Sequence, residues 1–431
     1  MVKYNWNQLE AYINEKMKQE HIAGAAVGMM KNGSIIFQKG FGYRDLKAQL
    51  PVTPETNFGI ASVTKSFTAL AILEMEAKGL LSVDDPVQKF LPEFNLKQVK
   101  DIESISIHHL LSHTTGLPPI ERKEYLTEFS KHLSYLAELE INMLGKPGEF
   151  FSYCNDMFLL LGAIIEKISG KPYHQYMTET YLQPFQMNRS TYYLEELFQM
   201  ENVSIPYDYN PKAGRLEKVA WPTLGNYEVG GGIRSNVVDL LKYGHVYLNN
   251  SYTNKMWNPI HKIGRNSFYG YALNVTPNYA EQYTLVQHGG GQPGVSSNFG
   301  FIPEENLFVV VLTNVGGVSA GDLWLAAVHT ALGLPLEEKI SEEPEYEMTL
   351  DEMRKFQGIY SSLEGDRLKI QIEGIQAFAV VEEQKYHLRA SAPDTLVMIQ
   401  NEKLLRFFFN ELKQPWAVMY GLRMLVRENE F

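Results

Sequence analysis

A single cysteine, Cys154, in 431 residues excludes a disulfide framework and any cysteine-rich metal module. Positive charge is also scarce. There are 39 Lys and Arg against 50 Asp and Glu, a net charge of −11. No basic run reverses that balance, which excludes nucleic acid as a partner, because a phosphate-binding surface needs clustered Lys and Arg. No uninterrupted apolar stretch reaches transmembrane length, so no membrane contact is expected. The segment from Met1 to Glu10 carries no apolar core of signal-peptide type, and a cytoplasmic setting is expected. Internal repeats and low-complexity segments are absent as well. What remains is a chain long enough for two or three domains, with an apolar fraction of 45% that suffices for large cores.

The chemistry gathers in three segments. In the first, Asn57-Phe58-Gly59-Ile60-Ala61-Ser62-Val63-Thr64-Lys65-Ser66-Phe67, a helical pattern starts at or just after Ser62 and runs through Leu70, Ile72, Leu73 and Ala77 to a Lys78-Gly79 stop. Ser62 then sits where free backbone N–H groups favour developing negative charge. Lys65 lies one turn on, on the same face, where its amine can reach the Ser62 hydroxyl. A serine hydroxyl is a poor nucleophile until a base takes its proton, and a desolvated lysine is such a base. This is the chain's only Ser-x-x-Lys. About one such match is expected by chance at this length, and alone it reads as a helix cap beside a solvated lysine.

The second segment, Pro147-Gly148-Glu149-Phe150-Phe151-Ser152-Tyr153-Cys154-Asn155, is a turn that delivers Tyr153 and Asn155 to the entrance of an apolar helix from Phe158 to Ile168. Tyr-x-Asn recurs at Tyr12, Tyr247 and Tyr252, so the turn before and the helix after are what mark this copy. A tyrosine beside a cationic lysine is expected to have a lowered pKa and to act as base and then acid. Asn155 offers a donor and an acceptor to a substrate amide.

The third segment is Gln287-His288-Gly289-Gly290-Gly291-Gln292-Pro293-Gly294. Its glycines fit the dinucleotide fingerprint, but Pro293 and the strand-like residues beyond replace the required helix, so no nucleotide cofactor is expected. His-Gly-Gly-Gly also occurs in the oxyanion loop of some α/β-hydrolases, yet the chain has no Gly-x-Ser-x-Gly elbow. An edge strand fits instead: Gly290 and Gly291 lack side chains, a substrate backbone can lie against them, and an N–H is aimed at an oxyanion. Nor does a metal fit. His109 and His113 are four apart, but Leu110 follows His109 and no third carboxylate stands at ligand spacing.

Around these segments the pattern predicts a helix over residues 5–19, a buried strand from Ala23 to Met30, an Asn32-Gly33 hairpin turn, and a partner strand from Ile35 to Tyr43. Further on it predicts a second helix between Pro86 and Phe90, a short helix over 107–111, and a glycine turn at 229–232 feeding another helix. A strand from Tyr269 to Val275 follows, then core strands from Asn298 to Pro303 and from Leu307 to Thr313, and a closing helix from Asp322 to Leu332. Residues 336–348 are acidic and proline-bearing, the marks of a linker between residues 1–335 and residues 349–431. The last part changes to strand periodicity, with six strand-like runs.

Taken together, the ordered motifs Ser62-x-x-Lys65, Tyr153-x-Asn155 and His288-x-Gly290 resemble those of the serine hydrolases of the class C β-lactamase, D-alanyl-D-alanine carboxypeptidase and related penicillin-binding and esterase superfamily. Leu110-Leu111-Ser112-His113-Thr114-Thr115-Gly116-Leu117 and Gly231-Gly232-Ile233-Arg234-Ser235 extend the likeness, and the tail resembles a lipocalin-like C-terminal domain. The resemblance implies an α+β fold: an antiparallel sheet flanked by helices plus an all-helical region, followed by a small all-β barrel. It implies Ser62 as the acylated nucleophile, Lys65 and Tyr153 sharing the proton work, and Asn155 holding the substrate amide. Backbone N–H groups of Ser62 and Gly291 would form the oxyanion hole, and His288 would orient the substrate. The expected activity is acyl-enzyme hydrolysis of a small peptide or ester, as a D-amino-acid peptidase or esterase, with β-lactams as further ligands. The alternatives are a β-lactamase, or a non-catalytic penicillin-recognising sensor or scaffold. The tail has two candidate roles, capping the site or building a homo-oligomer. His288 stands where β-lactamases use lysine, and a neutral histidine holds a carboxylate less well. Cys154 replaces the serine common between the tyrosine and the asparagine, so oxidation beside the site is expected to inhibit.

Overall fold

The computed structural model describes residues 4–97, 99–249, 251–336 and 343–428. The hairpin signal at Asn32-Gly33 is met by β1 (Gly24–Lys31) and β2 (Ser34–Asp45), to which β3 (Leu50–Pro51) adds an outer rung. The sheet is completed by β4 (His261–Lys262), β5 (Phe268–Tyr269), β6 (Asn274–Tyr279), β7 (Tyr283–Gln292), β8 (Val295–Ile302) and β9 (Leu307–Thr313). Its order is β3-β2-β1-β9-β8-β7-β6-β5-β4, and every pairing is antiparallel. First and last strands of this unit therefore meet at its centre, Val27 opposite Val311.

Both faces of the centre are covered, which is why β1 and β9 read as continuous apolar runs. Phe308, Val310 and Leu312 of β9 join one core, and Leu307, Val309 and Val311 join the other. On the second face lie α1 (Trp6–Gln19), through Leu9, Ile13 and Met17, and the closing helix Ala320–Leu332. Trp324 of that helix is fully buried, and its indole N–H donates to Val309 O at 3.0 Å. The first face carries the helical region. Its main members are α2 (Thr64–Ala77), α3 (Asn155–Ser169) and α4 (Val237–Asn249). Every residue of α2 up to Leu73 is buried, so it is a central helix and not an amphipathic surface one.

Beyond residue 343 the chain forms a closed eight-stranded barrel: β10 (Gly358–Ser361), β11 (Arg367–Glu373), β12 (Gln376–Val381), β13 (Gln384–Ala392), β14 (Thr395–Met398), β15 (Lys403–Phe409), β16 (Pro415–Tyr420) and β17 (Arg423–Arg427). Six of these are the runs expected from periodicity. The first and last strands, β10 and β17, pair with each other and close the ring, removing its edges. Part of the segment expected as a linker, residues 337–342, lies outside the described residues.

Three local expectations are corrected. The helix after Pro86 is only a 3₁₀ turn, Val87–Lys89, because Val87 N–H donates to Ile105 O and Pro86 bridges Ser106, pinning the chain across the loop. The strand expected from Tyr269 to Val275 is broken into β5 and β6. Gly270 N–H turns back to Leu273 O at 2.8 Å, Ala272 adopts φ +55°, and any Cβ at Gly270 would stand 2.2 Å from Met256 O. Gly230 and Gly231 are not a turn before a helix; they lie within the short helix Glu228–Gly231. Trp324→Ala is expected to lower unfolding stability by about 3–5 kcal/mol, read from denaturant titration, since it empties a fully enclosed site on the sheet.

Candidate active site

Ser62 is set by the residue two before it. Ile60 N–H donates to Ile233 O at 3.1 Å, and Ile60 O accepts from Ser297 Oγ at 2.7 Å, so sheet and helical region both grip the approach. Phe58–Gly59 pairs with Arg234–Ser235, adding a short antiparallel ladder. Ala61 then takes φ +44°, a conformation costly for a residue with a Cβ and found where structure is over-determined. Ser62 follows within the 3₁₀ turn Ala61–Val63 that runs directly into α2. It is half-buried, with free N–H groups of a helix start around it.

Lys65 is 1% exposed. Its Nζ donates to Asn155 Oδ1 at 2.9 Å and Gly230 O at 3.0 Å, and lies 3.3 Å from Ser62 Oγ. Gly230 is needed for this approach, because a Cβ there would stand 2.6 Å from Nζ. The Gly230 segment is held by Arg234, whose buried guanidinium donates to Gly232 O, Tyr192 O and Pro222 O and pairs with Glu228. Burial pushes the Lys65 amine well below the lysine range, and Arg122 and Arg423 push it the same way. Its three hydrogen-bond partners are neutral, so nothing restores the charge at contact distance.

Tyr153 stands over this amine, which lies 4.9 Å from its ring centroid. The phenol is buried and reaches towards Ser62 without completing a well-formed hydrogen bond. Burial raises its pKa; the Ser62 hydroxyl and Arg423 work against burial and do not overcome it. The expectation of a lowered tyrosine pKa is therefore corrected. The pocket desolvates both groups, which favours the neutral amine and the neutral phenol and weakens the cation that would have stabilised a phenolate.

The glycine segment of the sheet faces Ser62 as an open rung. Pairing of β6 with β7 ends at Asn274 and Gln287, so His288 to Gln292 is held on one side only, by β8. A Cβ at Gly290 would collide with Ile60 O and Ser297 Oγ, both at 2.4 Å, so glycine is required for β7 to approach the Ser62 turn. Gly291 has open space beside it. His288 Nδ1 donates to Gly289 O at 2.6 Å, which leaves Nε2 to accept the Tyr269 hydroxyl at 3.0 Å. Burial and the nearby Lys65 push its pKa down to about 3, so His288 is neutral.

Thus Ser62, Lys65, Tyr153, Asn155, His288, Gly290 and Gly291, far apart in sequence, meet in one place. His113 has the supporting place open to a histidine there, and sequence reasoning missed three further neighbours, Tyr269, Glu364 and Arg423. His113 Nδ1 accepts the Cys154 N–H at 3.2 Å and its ring lies 4.1 Å from that of Tyr153, so the histidine in the Ser112-His113-Thr114 segment supports the tyrosine. Tyr269 orients His288. Glu364 and Arg423 come from the barrel: Glu364 Oε1 accepts Asn155 Nδ2 at 3.1 Å, and Glu364 Oε2 accepts Arg423 Nε at 2.5 Å. Only the neighbours of Asn155 in space, not in sequence, could have revealed them. Two nearby histidines are accounted for locally, His109 by capping Ser106 and His108 by the Tyr271 hydroxyl.

A serine at the head of a central helix, wedged between an antiparallel sheet and a helical region, defines the serine penicillin-binding type of fold. The chain belongs to the Beta-lactamase family, whose model matches residues 9–332. It is similar to protein flp of Staphylococcus aureus (strain MW2), 31% identical over 320 residues that make up 72% of this chain and 63% of flp. It therefore spans less than two thirds of the length of that relative. PbpX of Bacillus subtilis (strain 168), named as a putative penicillin-binding protein, is 26% identical over 70% of this chain and 73% of its own. Among solved structures, the octameric penicillin-binding protein homologue from Pyrococcus abyssi superposes with a TM-score of 0.73 and 29% identity, covering 98% of this chain and 100% of the other. No helix among the described residues is long and apolar enough to cross a membrane.

Cys154 differs from its expectation. It is 1% exposed, and burial and the Asp156 charge raise its thiol pKa, so the reactive thiolate is suppressed. Native protein is expected to react with a thiol reagent such as DTNB at least about tenfold more slowly than unfolded protein. His288 generates a second prediction. Unfolded, it takes up a proton near pH 6.5, but folded it does so only near pH 3. The neutral ring therefore contributes full stability above about pH 6.5, and that contribution is lost as the pH falls towards 3. His288→Gln should flatten the dependence of the denaturation midpoint on pH across this window.

Proposed function

We propose that the chain is a serine hydrolase that works through an acyl-enzyme on amide or ester bonds, as a D-amino-acid peptidase or esterase of small substrates. The observation that carries this reading is the desolvated Lys65 amine, 3.3 Å from Ser62 Oγ and surrounded by neutral partners. Such an amine can take the Ser62 proton as Oγ attacks the carbonyl carbon. N–H groups of Ser62 and Gly291 receive the oxyanion. As the bond to the leaving group breaks, Tyr153 gives that group its phenolic proton, and the ammonium of Lys65 returns a proton to the phenolate. Water then attacks the ester by the same route in reverse. Asn155 would hold the substrate amide, and His288 would orient the substrate along the glycine strand.

Several features support the finer reading. Neutral His288 disfavours efficient β-lactamase action, which depends on a cation at that position to hold the carboxylate. The presence of Ser62, Lys65 and Tyr153 together disfavours a non-catalytic sensor or scaffold. The division of the chain into a hydrolase part, residues 1–335, and a lipocalin-like barrel, residues 349–431, belongs to the proposal, as does assembly of copies through the barrel. The octameric homologue from Pyrococcus abyssi supports assembly of copies as such.

An intact-mass time course with a penicillin is expected to show an adduct on the wild type and none on Ser62→Ala. Hydrolysis of a small ester should vanish in Ser62→Ala and fall about 10²–10⁴-fold in kcat in Tyr153→Phe. Absence of both adduct and ester turnover in the wild type would overturn the reading.

A further inference from the structure

The barrel reaches the site through one turn. Leu422 O accepts the backbone N–H of Tyr153 at 2.8 Å, and the N–H of Met424 donates to Ser152 Oγ at 3.2 Å. These bonds fix Arg423, the residue between, against the tyrosine: its guanidinium carbon lies 5.4 Å from the Tyr153 ring centroid. Met419, Met424 and Ala417 of the same hairpin close a small core with Phe151, Tyr153 and Tyr269. The placement of Arg423 is therefore as determined as that of Tyr153 itself.

Charge around the scissile position is the second observation. Lys65 and His288 are driven towards their neutral forms. Arg122 is committed, with Nη2 on Glu124 at 2.8 Å and its guanidinium over the Tyr227 ring. Arg423 is secured differently. Glu364 takes its Nε, Asp366 lies 3.7 Å from the same nitrogen, and the two Nη nitrogens have no hydrogen-bond partner among the described residues. The side chain is 30% exposed, so those donors are open to a ligand. A fork held by one nitrogen with two donors left over is suited to a planar anion.

We propose that Arg423 of the barrel is the carboxylate-recognising residue of the active site, with Glu364 as its positioning residue, so that the preferred substrate carries a free carboxylate within a residue of the bond that is cut. This rests on the hydrolase reading above and deepens it. The third motif lacks a cation where the resemblance leads one to expect it, and the barrel brings one from the other side of Tyr153. Glu364 acts at two places at once, orienting the guanidinium and accepting from Asn155 Nδ2, while Asn155 Oδ1 accepts from Lys65. Motif residues and barrel residues thus form one polar chain.

The test uses the rate at which a fluorophosphonate labels Ser62, competed by N-acetyl-D-alanyl-D-alanine or by its C-terminal amide. In the wild type the carboxylate is expected to compete at about tenfold lower concentration than the amide, the range of one charge-assisted fork. In Arg423→Met the two should differ by less than about twofold. Glu364→Gln, which keeps the shape and loosens the clamp, should fall between. Because the ratio is taken within one protein, any general weakening of a variant cancels. Equal competition in the wild type, or a preference that survives in Arg423→Met, would overturn the proposal while leaving the hydrolase reading intact. Failure of Ser62 to label at all would overturn both.

Discussion

Lys65 brings an amine into a place from which water is excluded, and most of the surrounding structure exists to make that tolerable. An isolated ammonium would be costly there, so the amine is met by a carbonyl, an amide oxygen and a hydroxyl, none of them charged. Each of those partners is itself fixed by something remote. Gly230 O is carried on a helix turn that Arg234 ties to three carbonyls. Asn155 heads a helix from the core. Ser62 is placed by a strained alanine that follows Ile60, itself gripped from two sides. The lowered pKa of the amine thus comes from burial, and its position from hydrogen bonds.

The same desolvation acts in opposite directions on lysine and tyrosine. In water they would both hold their protons. Within this pocket, burial lowers one pKa and raises the other, which favours the neutral form of each. His113 and His288, the two histidines in the neighbourhood, are held neutral by the same burial and act through geometry alone.

The site's inner half was legible in the sequence because its residues lie in short motifs whose spacing is local physics. Ser62 and Lys65 share a helix face, Tyr153 and Asn155 share a helix entrance, and the glycines at 289–291 announce a strand that must be approached closely. The central strands were legible for a similar reason: burial on both faces makes them uniformly apolar. The outer half was not. Glu364 and Arg423 sit at turns of the barrel, where a charged residue is what solvent exposure alone would put there. Nothing in their own neighbourhoods distinguishes a turn that meets water from one that meets Tyr153. The break at Gly270 was hidden because alternation continued through it, and only the approach of Met256 O forces the chain to turn. Strands β10 and β17 were missed because their role is to close a ring, a property of the barrel and not of either segment.

The bond from Tyr153 to Leu422 has a further consequence for how this protein can be cut. In sequence it looks modular, with an acidic stretch inviting truncation after the closing helix. Removing the barrel would strip Tyr153 of its backbone partner, expose Phe151 and Tyr269 to water, and leave Asn155 with an unanswered donor. A shortened chain would keep every motif residue and still lose the wall against which they are arranged. Changing the Arg423 side chain alone, by contrast, leaves the backbone bonds from Leu422 and Met424 to Tyr153 and Ser152 in place.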